Sequence, residues 1–227
     1  MSTPEKSNIK SYLKNINFDM WADMTTPAAD NQPLDKIYEW IHSMYMLITD
    51  PFSKSLQTPT EPFDFDSGVN VTEVADKMAN LMYEKDGVGL SANQCYGLNY
   101  RILVLAAASE EKEESRMVMV NPKVVNTEGE DLLVEEQCLS WPGLSLKIKR
   151  PNFIRVRYTD EFGKTDTIKL RGFSARVVQH QIDILDGVQW WRRANRIHFD
   201  QAKRNLSKQK KIAKREQNRL QSVNASI

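Results

Sequence analysis

An α+β fold is predicted for these 227 residues, with strands in small antiparallel groups around one central helix and helical extensions at both ends. Three observations predict it. Val71, Val74, Ala75, Met78 and Leu81 form one stripe at helical spacing, and Val177, Val178, His180 and Ile184 form another. Two short apolar runs, 101–105 and 117–120, lack that spacing and read as buried strands. Ile154, Val156 and Tyr158 then alternate with arginines before Glu161-Phe162-Gly163-Lys164 turns the chain into 165–170, which is the pattern of a hairpin.

Taken from the N-terminus, residues 1–44 read as a helical extension. Thr3 and Pro4 suit a helix start, and Ile9, Leu13 and Ile16 share a face. A polar linker from Thr25 to Pro33 leads to a second helix whose stripe is Leu34, Ile37, Ile41 and Tyr45. Neither stripe can bury itself, so both helices are expected to dock on a protein surface, with Trp21, Trp40 and Tyr45 as aromatic contacts. Residues 45–195 form the central domain. In it Asn70 and Glu73 suit a capping box for the first helix. Ser174 is the expected cap of the central helix and Gly187 its stop. Residues 196–227 carry Phe199, Ala202, Leu206, Ala213 and Leu220 at near-heptad spacing. They read as a helix that projects from the body to meet a partner and frays after Ser222.

The formal net charge of +1 hides an asymmetry. Between Arg192 and Leu220 eleven Lys/Arg face only Asp200 and Glu216, which gives that segment +9 and leaves the rest at −8. A basic helix on an acidic body points to a polyanionic partner, and the alternative is a merely solvated face. No apolar run approaches a membrane span and the N-terminus lacks a secretory core, so a cytoplasmic protein or one held inside a virus particle is expected. Two cysteines, Cys95 and Cys138, exclude a disulfide framework.

Three segments hold residues suited to chemistry. Gly87-Val-Gly-Leu-Ser-Ala-Asn-Gln94 follows a helix, and its glycines allow a tight turn and a close approach to a ligand. Glu136-Gln-Cys-Leu-Ser140 contains one cysteine, and Gln179-His-Gln-Ile-Asp-Ile-Leu-Asp-Gly187 one histidine. Read singly, each has a plain structural explanation: a helix end, a buried thiol and a hydrogen-bonded core histidine.

In this order and at these separations, the three resemble the signature motifs of peptide deformylases, and the likeness extends over about 45–195. The resemblance implies removal of the formyl group from an N-terminal formyl-methionine by a divalent metal, typically iron. It places Gly87 and Gly89 with Glu136 as binding residues, Cys138 and His180 as metal ligands, and Gln94 with the backbone N–H of Leu139 at the oxyanion. The family's third motif is His-Glu-x-x-His, whose histidines share a helix face while the glutamate acts as general base. Here the glutamate position is Gln181 and the second histidine position is Ile184. Glutamine takes up no proton at neutral pH and isoleucine has no lone pair, so Gln94, Leu139, Gln181, Cys138 and His180 read as vestiges. The expectation is an inactive deformylase-like protein without a cofactor, kept as a binding or structural component of a larger assembly. Its basic C-terminal helix would meet the ribosome, RNA or an acidic protein surface. The alternative is an active enzyme with altered metal ligation, holding Fe2+ or another divalent ion. In the inactive reading Ile184 fills the former metal pocket, Gln181 and Gln94 bond to each other or through a water, Asp183 supports from behind, and Cys95 is structural. His42 and His198 are the remaining histidines.

Overall fold

A computed structural model describes residues 46–107 and 115–224. The extension at 1–44, its two expected helices and His42 lie outside the described residues.

The described elements are α1 (Lys54–Gln57), α2 (Val71–Glu84), β1 (Gly89–Ser91), β2 (Ile102–Ala107), β3 (Ser115–Gln137), β4 (Ser145–Thr159), β5 (Thr165–Arg171), α3 (Gly172–Leu185) and α4 (Arg196–Asn224). The α+β class holds. The strands join into one sheet in the order β1-β2-β3-β4-β5, and every neighbouring pair is antiparallel. The run at 117–120 is the start of a 23-residue strand, far longer than its apolar part. Beyond Val124 the strand is exposed as far as Glu135, Val125 and Leu132–Val134 included, so no burial pattern announced it. Register shifts break it at Val120/Lys123, Val124/Asn126 and Glu128/Asp131. At the last of these Gly129 takes φ +78°, and a Cβ there would sit 2.8 Å from the Phe153 ring.

Asn70 caps α2 as expected, its Oδ1 accepting from the Glu73 N–H at 3.2 Å. The stripe from Val71 to Met82 then packs with Leu90, Ile102, Val104, Val118 and Val120 of the sheet. The central helix departs from expectation at its start. It begins at Gly172, two residues before Ser174, and Arg171 occupies the cap position without a side-chain bond. Gly172, at φ +59°, lets β5 turn directly into α3, so no Ser174 cap is needed. Ala175, Val178, Ile182 and Leu185 pack on Leu103, Met119, Ile154 and Val156. Gly187, at φ +67°, ends the helix, and a Cβ there would lie 2.9 Å from the Gln57 and Pro59 backbone.

Helix α4 is partly docked on the body. Phe199, Ala202 and Leu206 pack with Trp141, Leu144, Trp190 and Trp191, and Leu206 lies where a Cβ on Gly143 would be, at 2.9 Å. The apolar stripe thus has its partner within the chain for the first turns, and only residues after Leu206 are exposed without interruption to Arg219. Helix continues through Asn224, past the expected fraying point at Ser222.

Candidate functional site

Three segments converge on one cleft of about 1250 Å³. Its walls come from Met46 and Leu47, the loop at 84–89, the end of β3 with Leu139, and the α3 face carrying Phe173, Arg176, Val177, His180 and Gln181. The structure therefore brings Gly87, Gly89, Glu136, Cys138, Leu139, His180 and Gln181 together, as the motifs suggest.

The glycines serve close packing here. Neither Gly87 nor Gly89 is among the residues with positive φ, so neither is needed for a turn. A Cβ on Gly87 would stand 2.7 Å from Leu139 Cδ1, and one on Gly89 2.8 Å from Val177 Cγ1 and 3.2 Å from Gln181 Nε2. The absent side chain of Gly89 lets β1 lie directly against α3, and that of Gly87 leaves room for Leu139 and Met82.

Glu136 anchors a buried charge network that the sequence did not reveal. Its Oε1 accepts from Arg150 Nε and Arg176 Nη1, both at 2.6 Å. Its Oε2 accepts from Arg150 Nη2 at 3.0 Å and stands 3.1 Å from His180 Nδ1. Both oxygens are thus engaged within the protein, so this carboxylate orients His180 rather than reaching into the cleft for a ligand. Burial on its own would raise its pKa, but hydrogen bonds from His180 and Arg150 hold it down at about 2. Burial likewise opposes a charge on His180, and its interactions with Cys138 and Glu136 outweigh that and lift it to about 9. Asp183 supports from behind as expected, accepting from Arg150 Nη1 and Arg193 Nε at 2.7 and 2.6 Å. Arg150, Arg176 and Arg193 are far apart in sequence, and only the alternation of β4 could have shown that Arg150 points inward.

The two glutamines do not bond to each other. A single 3₁₀ turn, Ala92–Gln94, folds the Gln94 amide back on Ser91, whose N–H and Oγ donate to Gln94 Oε1 at 3.0 and 3.3 Å. The Ser91 hydroxyl also lies in short contact with Gln181 Oε1, so it separates the two amides. Gln94 Nε2 donates to Ser140 Oγ at 3.0 Å and points to Cys138 Sγ at 3.7 Å. Ile184 is 5 % exposed and packs with Cys138, Leu144, Ile148 and Trp190. Trp190 also lies against the other side of this region, 5.5 Å from the His180 ring. Cys95 is fully buried in the core between α2 and the sheet, and burial pushes its thiol up to about 12. His198 is exposed on α4.

The donor set does not fit the family's metal. Cys138 and His180 are the two matched donors, Gln181 offers a neutral amide already bonded to Ser91, and Ile184 offers none. Among the described residues no three His, Cys, Asp or Glu side chains converge as a metal-binding group.

A family model described as polypeptide deformylase matches residues 44–200. A peptide deformylase of Rhizobium meliloti is 35 % identical over 163 residues, which is 72 % of this chain and 91 % of that protein. Another from Thermosynechococcus vestitus is 40 % identical over 119 residues, spanning 63 % of its length. Among solved structures, a peptide deformylase from Synechococcus elongatus in complex with actinonin aligns with a TM-score of 0.65 at 30 % identity, covering 70 % of this chain and 86 % of that one. A probable peptide deformylase from a Synechococcus phage gives 0.61 at 36 % identity, covering 65 % and 99 %.

Proposed function

The chain belongs to the polypeptide deformylase family, and from that premise we propose that it is a member whose cleft binds a peptide terminus without metal-dependent deformylation, as a binding component of a larger assembly. The observation that carries this reading is Ile184. It stands one helical turn from His180 on the same face of α3, where the family places a second histidine, and its side chain is built into the core against Cys138. A site meant to hold a divalent ion leaves that position to a donor atom. Gln181 adds a second loss, since an amide cannot relay the proton that the family's glutamate carries. A general base alone is worth roughly 10²–10⁴ in rate.

What persists is suited to binding. The cleft keeps an apolar floor of Leu81, Leu139 and Val177, and β1, at the edge of the sheet, borders it through Gly89. The basic half of α4 supports a polyanionic or acidic partner. Lys208, Lys210, Lys211, Lys214 and Arg215 are exposed there on a helix whose earlier turns are fixed to the body.

The test is formate release from a formyl-methionine peptide, under anaerobic conditions with iron or nickel supplied. The wild type is run beside Gln181→Glu/Ile184→His. Turnover by the double variant alone supports the proposal. Formate release by the wild type establishes the second reading, an active deformylase with different metal ligation. That reading is favoured by the named activity of relatives 35–40 % identical to this chain and by the retained Cys138, His180 and Gln94.

A further inference from the structure

The outer face of the β4 and β5 strands carries a basic patch separate from the cleft. Ile154 and Val156 of β4 and Ile168 and Leu170 of β5 turn inward to Ala175 and Val178 of α3. The residues that alternate with them therefore point to the opposite face. There Phe153 stands across from Arg171, Arg155 from Lys169, and Arg157 from Lys123 on one side and Thr167 on the other. Lys123, Phe153, Arg157, Lys169 and Arg171 are exposed, and the Arg155 side chain is 43 % exposed. One carboxylate shares this stretch with the five cations: Glu128, 3.6 Å from Arg155 Nε, which has no hydrogen-bond partner. Among the described residues Lys123, Arg157, Lys169 and Arg171 form no ion pair. Like charges directly opposite each other weaken a sheet, and Arg155 with Lys169 and Lys123 with Arg157 are two such pairs. The chain outside 192–220 sums to −8, so this patch is positive on an acidic body. Phe153 lies among the cations, 41 % exposed, and Gly129 backs its ring, where a Cβ would stand 2.8 Å from Cδ2.

We propose that this face binds a single-stranded nucleic acid, with Lys123, Arg155, Arg157, Lys169 and Arg171 on its phosphates and a base stacked on Phe153. Positions two apart on a strand lie about 7 Å from each other and neighbours across strands about 5 Å, so the cations surround the ring at short range. The phosphates supply the countercharge that the opposed cations lack within the chain. Every base offers a π-face, so the binding is tolerant of sequence. A duplex keeps its bases stacked on one another and offers none to the ring, and an acidic protein gives Phe153 no partner. The face shares no residue with α4 or with the cleft lining, and its role is independent of whether the cleft turns over substrate.

The test titrates the full chain against fluorescently labelled oligouridine RNA and oligothymidine DNA, read by anisotropy at about 50 to 200 mM salt. Each phosphate held by a single strand contributes about −0.7 to the slope of log K against log salt. Arg157→Gln/Lys169→Gln/Arg171→Gln therefore flattens the slope by about 2. These side chains are exposed, so the fold survives their exchange. Phe153→Leu keeps an apolar contact for Gly129 and removes the aromatic face. It weakens binding about fivefold at every salt concentration, the low end for one stacked base, and leaves the slope unchanged. Lys210→Gln/Lys211→Gln/Lys214→Gln on α4 runs in parallel, because that helix also attracts polyanions. Wild-type affinity and slope in the sheet variant overturn the proposal, whether the α4 variant loses binding or not. Equal affinity for polyglutamate, with no effect of Phe153→Leu, overturns it in favour of an acidic protein. Duplex bound as tightly as single strand overturns the stacked base. Loss in both sheet variants with either RNA or DNA supports it, and a preference between the two assigns the sugar.

Discussion

Replacing Arg150 by Met is expected to destabilise the fold by about 3–5 kcal/mol, the cost of breaking a buried ion pair from one side. Arg150 is 2 % exposed and makes three charged bonds, two to Glu136 and one to Asp183. Methionine keeps the apolar stem without the guanidinium, so the loss is mainly electrostatic rather than a cavity. The carboxylates left behind keep Arg176, His180 and Arg193, which limits the damage and argues for the lower end of that range. Urea unfolding reads the effect: with a slope of about 2 kcal/mol per molar, the midpoint falls by about 1.5–2.5 M. Arg155→Met is the control. Arg155 stands 3.6 Å from Glu128 with both side chains about half exposed, and such a pair contributes about 0–1 kcal/mol. The pH dependence adds a second check. A carboxylate held down at about 2 contributes stability that is complete above its ordinary value near 4.5 and is lost as pH falls towards 2. Without Arg150 that loss still begins near 4.5, but it is smaller and is complete at a higher pH. An Arg150→Met midpoint within the error of the Arg155→Met midpoint would refute the network's part in holding the site.

The remaining expectations concern single positions. Ile184→Ala, which empties a buried site beside Cys138, costs about 2–4 kcal/mol in the same assay, while Ile184→Val costs about 1. Gly89→Ala sets a Cβ 2.8 Å from Val177 and costs about 1–3 kcal/mol by overpacking, and Gly89→Ala/Val177→Ala recovers part of it. Burial keeps the Cys95 thiol protonated up to about pH 12, so its contribution is complete below about 9, where the unfolded thiol begins to ionise, and is lost as pH rises through 12. Thermal unfolding between pH 8 and 11 therefore falls less steeply in Cys95→Ala than in the wild type. Leu206→Asp releases α4 from the Trp141 and Trp191 surface, which a red shift in tryptophan fluorescence detects.

Local pattern revealed what depends on local pattern. The α2 stripe, its Asn70 cap and the hairpin at 154–170 were legible because periodicity, capping chemistry and turn residues lie within a few positions of each other. The far part of β3 was not, because an exposed strand with both faces in water has no alternation to read. The roles of Gly87 and Gly89 were misread for a related reason. Their need for a missing Cβ comes from Leu139 and Val177, which are distant in sequence. The site followed the same division. Its membership could be read from three motifs, but its wiring through Ser91, Arg150, Arg176 and Arg193 depends on contacts that no spacing encodes.

That wiring bears on what the family's site becomes when its chemistry changes. Glu136, Arg150, Arg176, His180 and Asp183 form a satisfied network in which each buried carboxylate oxygen meets a donor. Removing one member strands a charge in the interior, a cost of several kcal/mol that bears on stability whether or not a reaction occurs. Gln181 and Ile184 lie outside that network. Gln181 needs only the Ser91 hydroxyl, and Ile184 gains apolar contact from a wall already made of Leu144, Ile148 and Trp190. A scaffold built this way can exchange its proton carrier and its metal donor at little structural cost while holding its histidine and cysteine in place. His180 is held by this network whether or not a reaction occurs. The informative positions are the two that the fold leaves free to vary.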